Sequence, residues 1–152
     1  MENMELTATG DGQEGGAVLP GPFTPARALD CFSSYMLDSR KVRQIVLQKL
    51  HGEVMRCPVC DAPVSERQHE TLLQDTGRVC CKHCKRWFTN RTGTILDRSC
   101  LTFNSFYLLA VLSALGVDVQ TRAQIIDVHP DTVKNWDAKF EAAEVLRKEG
   151  EV

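Results

Sequence analysis

The sequence predicts a small mixed α+β protein with a zinc ribbon, made of short β-strands around a four-cysteine zinc site, followed by an all-α helix-turn-helix and preceded by a short helical pair. Two observations carry this prediction: paired C-x-x-C motifs in mid-chain and helical spacing of apolar residues on both sides of them. The 152 residues suffice for one modest core, which excludes a large multidomain enzyme. We expect an acidic disordered tail (1–23), the helical pair (24–52), the ribbon (53–100) and the helix-turn-helix with a C-terminal helix (101–148).

The amino-terminal part divides into a tail and two helices. Residues 1–23 contain few large apolar side chains, so they cannot repay the entropy of ordering. Thr24 and Pro25 supply an N-cap and a first-turn proline for the first helix. The second helix restarts at Asp38 or Ser39 and ends at Gly52. We expect this pair to be a packing module that also offers a surface for self-association or a protein partner.

The ribbon is predicted where helical periodicity stops, between Val54 and Ser99. Short β-like runs alternate there with turn residues, at 78–80, 87–89 and 94–96. Such a segment is too small to fold on apolar burial alone.

Four cysteines in this segment are the candidates for supplying the missing stabilisation. Cys57 and Cys60 form one C-x-x-C pair, and Cys81 and Cys84 form a second one, with twenty residues between the two pairs. Two intervening residues let a tight turn aim both sulfurs at one ion about 2.3 Å away, and two such turns complete a closed tetrahedron, which is a structural Zn²⁺ site. A redox role for these pairs would need a βαβ context, which the sequence lacks.

The other cysteines have different expected roles. Cys80 is an alternative third ligand, but only Cys81 has the two-residue spacing to Cys84, so we favour Cys81 and treat Cys80 as a small strand residue. Cys31 and Cys100 are expected to be buried thiols. The odd total of seven cysteines and the absence of a secretion signal argue against a disulfide framework.

Charge is unevenly distributed although the formal net charge is only −2. Residues 1–39 sum to −5, residues 40–139 to +5 and residues 140–152 to −2, so the middle is the part suited to a polyanion. Basic residues crowd around the second cysteine pair, and we expect them to contact phosphates, whereas Trp87 and Phe88 among them are expected in the core. The candidate phosphate contacts here are Lys85, Arg86, Arg91 and Arg98.

Three helices are expected after the ribbon. The first starts at a capping residue, Thr102 or Asn104, and runs to Gly116; the others cover about 119–127 and 130–148. Residues 121–136 read as a helix-turn-helix, with a small residue at Ala123 and a turn plug at Val128. Asp127 occupies the turn position where glycine is usual, and Asp tolerates left-handed geometry better than most residues.

The second helix of this motif has a buried face and a polar face. Val133 and Trp136 point inward, Pro130 fits the first helical position, and His129 is the expected N-cap. The outward residues near its start are suited to a major groove, where Asn can bond adenine and Lys can reach guanine. We assign DNA contacts to Thr132, Lys134, Asn135, Lys139 and Arg122.

These motifs together resemble a known family. Cys57-x-x-Cys60, the run from Cys81 to Phe88, the stretch 91–95 (RTGTI) and the helix-turn-helix are similar to the amino-terminal region of bacterial insertion-sequence transposases and their small DNA-binding regulators. The resemblance covers about residues 54–140 and implies that the four cysteines hold zinc and that Thr132, Lys134 and Asn135 lie on a recognition helix. The catalytic domain of such transposases has no counterpart here, so we expect no enzymatic activity.

The expected function is sequence-specific binding of double-stranded DNA by a zinc-dependent, transposase-derived or regulatory protein. The chain has no apolar run long enough for a membrane span, and we expect a cytoplasmic, nucleoid-associated protein without a small-molecule substrate. The alternative is a zinc-ribbon adaptor that binds another protein and no DNA, which the pI near 6.1 favours somewhat. A third hypothesis, RNA binding by stacking on Trp87 and Phe88, requires those rings to be exposed.

Overall fold

The computed structural model describes residues 21–25, 27 and 38–150, and these form a small mixed α+β structure with five named helices and one two-stranded sheet. The predictions of a disordered tail over 1–20 and of a helix through 28–37 lie outside the described residues. The elements in chain order are α1 (Ser39–His51), α2 (Glu66–Leu72), β1 (Arg78–Cys80), β2 (Trp87–Thr89), α3 (Phe103–Ala114), α4 (Val119–Ile126) and α5 (Pro130–Gly150).

The start of the described chain is packed onto the helices. Phe23, which the sequence placed at the end of the tail, is buried, and its ring centroid lies 5.1 Å from that of Phe106. The Thr24 hydroxyl accepts a hydrogen bond from the backbone N–H of Arg27 at 3.3 Å, as an N-cap does. The tail prediction was therefore wrong at its last residue, because one aromatic side chain finds a place in the core.

Helix α1 begins and ends where the sequence predicted. The Asp38 carboxylate accepts the N–H of Arg40 at 2.8 Å, and Gly52 ends the helix with a φ of 72°, which an L-residue adopts only with strain. Its buried side chains are Val42, Val46 and Leu47, and the helix packs against α3.

Helix α2 was not predicted, since no helical periodicity is visible around it. Its signal is a capping box: the backbone N–H of Ser65 donates to the Gln68 side-chain oxygen at 3.2 Å. The Gln68 amide also donates to the Cys80 carbonyl at 2.7 Å, which ties α2 to β1. Gly77 follows, and a Cβ there would lie 1.8 Å from the Thr71 carbonyl oxygen, so only glycine permits this approach.

The two strands form an antiparallel pair with Val79 opposite Phe88. These two side chains are buried, whereas their neighbours on the other face are more accessible. The prediction of a strand at 94–96 was wrong. The Thr94 N–H donates to the Arg91 carbonyl and the Asp97 N–H donates to the Thr94 carbonyl, so this segment forms successive turns. Leu96 is nevertheless fully buried, which explains its apolar character.

The three helices that follow contain most of the aromatic core. Thr102 caps α3 by accepting the Ser105 N–H at 3.0 Å, and α3 packs on α4, which packs on α5. The rings of Phe106, Trp136 and Phe140 lie within 5.3–6.0 Å of one another, in tilted arrangements typical of aromatic clusters.

Candidate metal centre and nucleic-acid interface

Four cysteine side chains meet at one point of the structure. The sulfurs of Cys57 and Cys84 lie 3.6 Å apart, as do those of Cys60 and Cys81, and all four sulfurs lie within 4.8 Å of one another. Four thiolates bound at about 2.3 Å to one tetrahedral ion would be separated by about 3.8 Å. The cluster therefore has the dimensions to hold a metal ion.

Both cysteine pairs lie on loops with the same backbone pattern. In each loop the first cysteine, Cys57 or Cys81, donates its N–H to the carbonyl five residues on and accepts from the N–H four residues on, at 2.8–3.0 Å. The residue four positions on, Asp61 or Lys85, is left-handed, with φ of 57° and 62°. This shared geometry turns both sulfurs of each pair inward, although the two loops share no sequence beyond the cysteine spacing.

The choice between the adjacent cysteines is resolved by the geometry. Cys81 belongs to the cluster, whereas the Cys80 sulfur lies 3.5 Å from the Lys85 carbonyl and outside it. Cys100, expected to be a buried thiol, is exposed, and Cys31 lies outside the described residues. The structure thus groups Cys81, and not Cys80, with the other three cysteines, and the expectation for Cys100 was wrong.

The clustered thiols alter one another's ionisation. The backbone N–H of Cys84 donates to the Cys81 sulfur and, with further hydrogen bonds, lowers the pKa of Cys81 to about 6. The Arg86 N–H favours the Cys84 thiolate, but burial and the three neighbouring thiols outweigh it and raise the pKa of Cys84 to about 12. Because like charges at this distance oppose one another, a bound cation is what would allow all four to be thiolates.

Helices α4 and α5 meet through a tight turn. Asp127 ends α4 with φ 55° and ψ 56°, so the left-handed conformation expected at the glycine-like position is present. Ala123 and Val133 are buried where the helices cross, and Val128 packs against the core. His129 caps α5, since its Nδ1 accepts the Asp131 N–H at 3.2 Å.

The predicted contact residues of α5 lie on its accessible side. Lys134 and Asn135 are exposed, and Thr132 is half-buried. Lys134 also lies 3.4 Å from the Asp131 carboxylate. The Lys139 ammonium sits 4.3 Å from the centre of the Trp136 ring, a cation–π contact that holds it beside the helix.

Two predicted DNA contacts have structural partners instead. Arg122 is buried, and its guanidinium makes two hydrogen bonds to the Asp137 carboxylate, at 2.6 and 2.9 Å, joining α4 to α5. Arg91 donates to the carbonyls of Leu101 and Ser99 and lies 4.6 Å from the Phe103 ring centre. Both assignments to DNA are corrected, because these cations hold the protein together.

The other basic candidates are accessible. Lys85, Arg86 and Arg98 are exposed, and the Lys85 ammonium donates to the Lys82 carbonyl at 2.7 Å. The helix α5 comes near the segment after the second cysteine loop: Lys139 and Asp97 line the same groove of about 550 Å³.

The aromatic pair beside the second cysteine loop is split. Phe88 is buried as expected, but Trp87 is 59% exposed, so the expectation of a core tryptophan was wrong. Strand alternation gives the reason: adjacent residues of a strand point to opposite faces, and only one face of this two-stranded sheet is covered.

Sequence reasoning missed a buried hydrogen-bond centre at Asn90. Its side-chain amide donates to the backbone carbonyls of Leu72 and Gln74 at 2.7 and 2.9 Å, and its backbone carbonyl oxygen lies 2.7 Å from Nε2 of the His51 ring, as a hydrogen-bond partner. Burial lowers the pKa of His51. No spacing rule links these residues, which come from three separate parts of the chain, so the sequence held no signal for the contact.

Comparison with protein-family models, curated proteins and solved structures finds no match to this chain. Among the described residues, no helix combines the length and apolar character needed to cross a membrane.

Proposed function

We propose that this chain is a zinc-dependent, sequence-specific double-stranded DNA-binding protein, derived from a transposase or acting as a regulator in the nucleoid. The observation that carries the proposal is the α4–turn–α5 arrangement, with a left-handed turn residue at Asp127 and an exposed Asn135 near the start of α5. An exposed polar face at the start of a second helix is the part of a helix-turn-helix that enters a major groove.

Zinc is the metal that this donor set favours. Among the described residues, the group that could hold a metal consists of four cysteine sulfurs within 4.8 Å of one another, and four thiolates around one ion make a closed site, which is structural. In this proposal the ion fixes a ribbon whose strands are β1 and β2. Metal analysis of the purified protein, expected to give one zinc per chain, tests this part, and substoichiometric zinc with bound iron would refute it.

The proposed DNA surface differs from the sequence expectation by two residues. Asn135, Lys134 and Thr132 would contact bases, while Arg86 and Arg98 would contact phosphates. Lys85 and Lys139 also remain in the proposed surface, and Arg122 and Arg91 are left out because protein groups already bind them. Zinc bound by four thiolates has a formal net charge of about −2. Part of the nearby positive charge therefore neutralises this complex and not the DNA phosphates.

Selection from a random duplex library with zinc-loaded protein at about 0.15 M salt tests the proposal, and an enriched motif is the expected result. If about five phosphates are neutralised, the logarithm of affinity should fall with the logarithm of salt with a slope of about −4 to −5. Asn135→Ala should change the preferred motif, whereas Arg86→Ala should weaken all sequences alike. If Asn135→Ala and Arg86→Ala both weaken binding to all sequences by the same factor, the assignment of α5 as the recognition helix is refuted.

A protein-interaction adaptor is the second candidate. Exposed apolar side chains favour it: Leu115 is 62%, Leu146 61% and Val145 54% exposed. The segment 24–52 would add a surface for a partner or for self-association. Two results together would favour this candidate over the DNA proposal. Folded, zinc-loaded protein would enrich no duplex sequence, and it would bind a protein partner with an affinity that does not depend on salt.

A further inference from the structure

The outer face of the β1–β2 pair carries an exposed tryptophan that the proposed duplex reading does not use. Trp87 is 59% exposed, whereas the next residue, Phe88, is buried at 5%. A large aromatic side chain is usually covered in a folded protein, because leaving it in water forgoes the free energy of its burial. An accessible indole on the outer face of a short strand is suited to stacking on a flat ligand.

The neighbours of Trp87 leave more than half of its surface accessible, with one cation over the ring. The Arg78 guanidinium lies 5.1 Å from the centre of the indole ring. The residue directly across the ladder is Cys80, which is small, and Thr89 stands across from Arg78. The face therefore consists of one ring, one guanidinium and two short side chains.

The charge around this face selects an anionic ligand. The segment from Arg78 to Leu96 contains no Asp or Glu, and its basic residues include Lys82 and Arg86 in the loop that joins the two strands. Both of these side chains are exposed. Stacking on an accessible ring next to cations is how proteins bind unpaired bases flanked by phosphates.

We propose that Trp87 and Arg78 form a stacking site for an unpaired base in a single-stranded nucleic acid, with Lys82 and Arg86 contacting the flanking phosphates. The two proposed sites share Arg86 as a phosphate contact, but stacking depends on Trp87 on the strand pair and duplex reading depends on Asn135 on α5, so substitutions at these two residues let each proposal fail without the other. A paired base inside a duplex offers no free face, and the site therefore binds single strands or unpaired ends.

The test compares three 12-mers that have equal numbers of phosphates: oligo(dT), oligo(U) and an abasic strand. The wild-type protein should bind the strands with bases more tightly than the abasic strand. Trp87→Ala should lose about 5- to 150-fold of affinity for the base-containing strands, and Trp87→Phe should lose less. Equal binding of the three strands by wild-type protein, or an unchanged affinity in Trp87→Ala, would overturn the proposal.

Controls separate stacking from charge and from folding. Arg86→Ala should weaken all three strands alike, and Trp87→Ala should keep its zinc and its affinity for duplex DNA. The chain has two tryptophans, so Trp136→Phe leaves Trp87 as the only one, and excitation at the long-wavelength edge of its absorption avoids the two tyrosines. Saturation of that variant with oligo(dT) should quench its emission, and unchanged emission at saturation would also overturn the proposal. Preference for oligo(dT) or for oligo(U) tells whether DNA or RNA is the ligand.

Discussion

The cysteine-containing region, residues 54–100, and the helical region, residues 103–150, keep their structure by different means. The buried apolar residues of the first are few: Met55, Leu72, Val79, Phe88, Leu96 and two of the clustered cysteines. The second has α3, α4 and α5 around the rings of Phe106, Trp136 and Phe140. Hydrophobic burial can sustain the helical region, whereas we expect the cysteine-containing region to need a metal ion held by its four clustered sulfurs.

The largest expected effect comes from breaking the metal cluster. Structural zinc sites contribute about 10–16 kcal/mol in apparent terms, which a small apolar core cannot replace. Chelation, or Cys81→Ser, should therefore unfold residues 54–100, while α3 to α5 keep their protection in hydrogen exchange. Cys80→Ser is the matched control and should change neither zinc content nor exchange. Equal loss of hydrogen-exchange protection in both regions would show that they unfold as one cooperative unit, which would contradict the difference between them.

The next effect concerns the ion pair of the helical region. The Arg122 side chain is 7% exposed and Asp137 is 28% exposed. Asp137→Ala leaves the buried guanidinium without its carboxylate, and we expect a loss of about 3 kcal/mol, at the low end for a buried pair because Asp137 is partly solvated. Denaturant unfolding of zinc-loaded protein measures it.

Replacing both partners provides the control for that prediction. Arg122→Met with Asp137→Met removes the charges together, and this double variant should be more stable than Asp137→Ala alone. If Asp137→Ala costs less than about 1 kcal/mol, the pair does not fix the α4–α5 crossing.

A smaller effect depends on pH and tests the contact between α1 and the cysteine-containing region. Burial lowers the pKa of His51 below its ordinary value of 6.5, so the unfolded chain takes up a proton at a higher pH than the folded chain does. The contribution of His51 to stability is complete above pH 6.5 and falls as the pH drops through that value toward the folded pKa.

The variant His51→Gln isolates the effect of His51 protonation, because a glutamine amide can donate to the backbone carbonyl of Asn90 but does not titrate. Acid also releases zinc from the cluster, but it does so in both proteins. We expect the free energy of unfolding of the wild type, relative to that of the variant, to decrease as the pH is lowered from about 8 to about 5. A difference independent of pH would contradict the protonation argument.

The smallest effect is expected at the turn between α4 and α5. Asp127 is left-handed at φ 55°, a conformation that glycine adopts without strain. Asp127→Gly should stabilise the protein by about 0.5 kcal/mol, because the relief of strain exceeds the added entropy of the unfolded chain. Thermal unfolding with Asp127→Val as the opposite control checks this; destabilisation by glycine would mean that the Asp side chain stabilises the turn.

Local signals predicted the elements whose causes lie within a few residues. The caps at Asp38 and Thr102 and the left-handed turn at Asp127 are short-range features, and the structure has them where they were expected. Helix α2 had such a signal too, the Ser65–Gln68 capping box, which was overlooked because the segment lacks an apolar period.

Other features could not be predicted because their causes lie far away in the sequence. Arg122 is a basic residue in a DNA-binding pattern, and only its proximity to Asp137 makes it a structural cation. Arg91 was assigned to phosphate because it is a basic residue near the second cysteine pair, and only the folded chain brings the Ser99 and Leu101 carbonyls to its guanidinium. Phe23 ends a segment with few large apolar side chains, yet it packs on Phe106.

The sequence by itself determined the four clustered cysteines, the helices from residue 39 onward that have caps and apolar periods, and the turn geometry at Asp127, since each follows from local spacing or local backbone preference. Only the tertiary structure decided which cations remain exposed, which of Trp87 and Phe88 is covered, and where Asn90 finds its partners. Burial and ion pairing depend on side chains brought together from distant positions, and the chain order alone does not specify those distances.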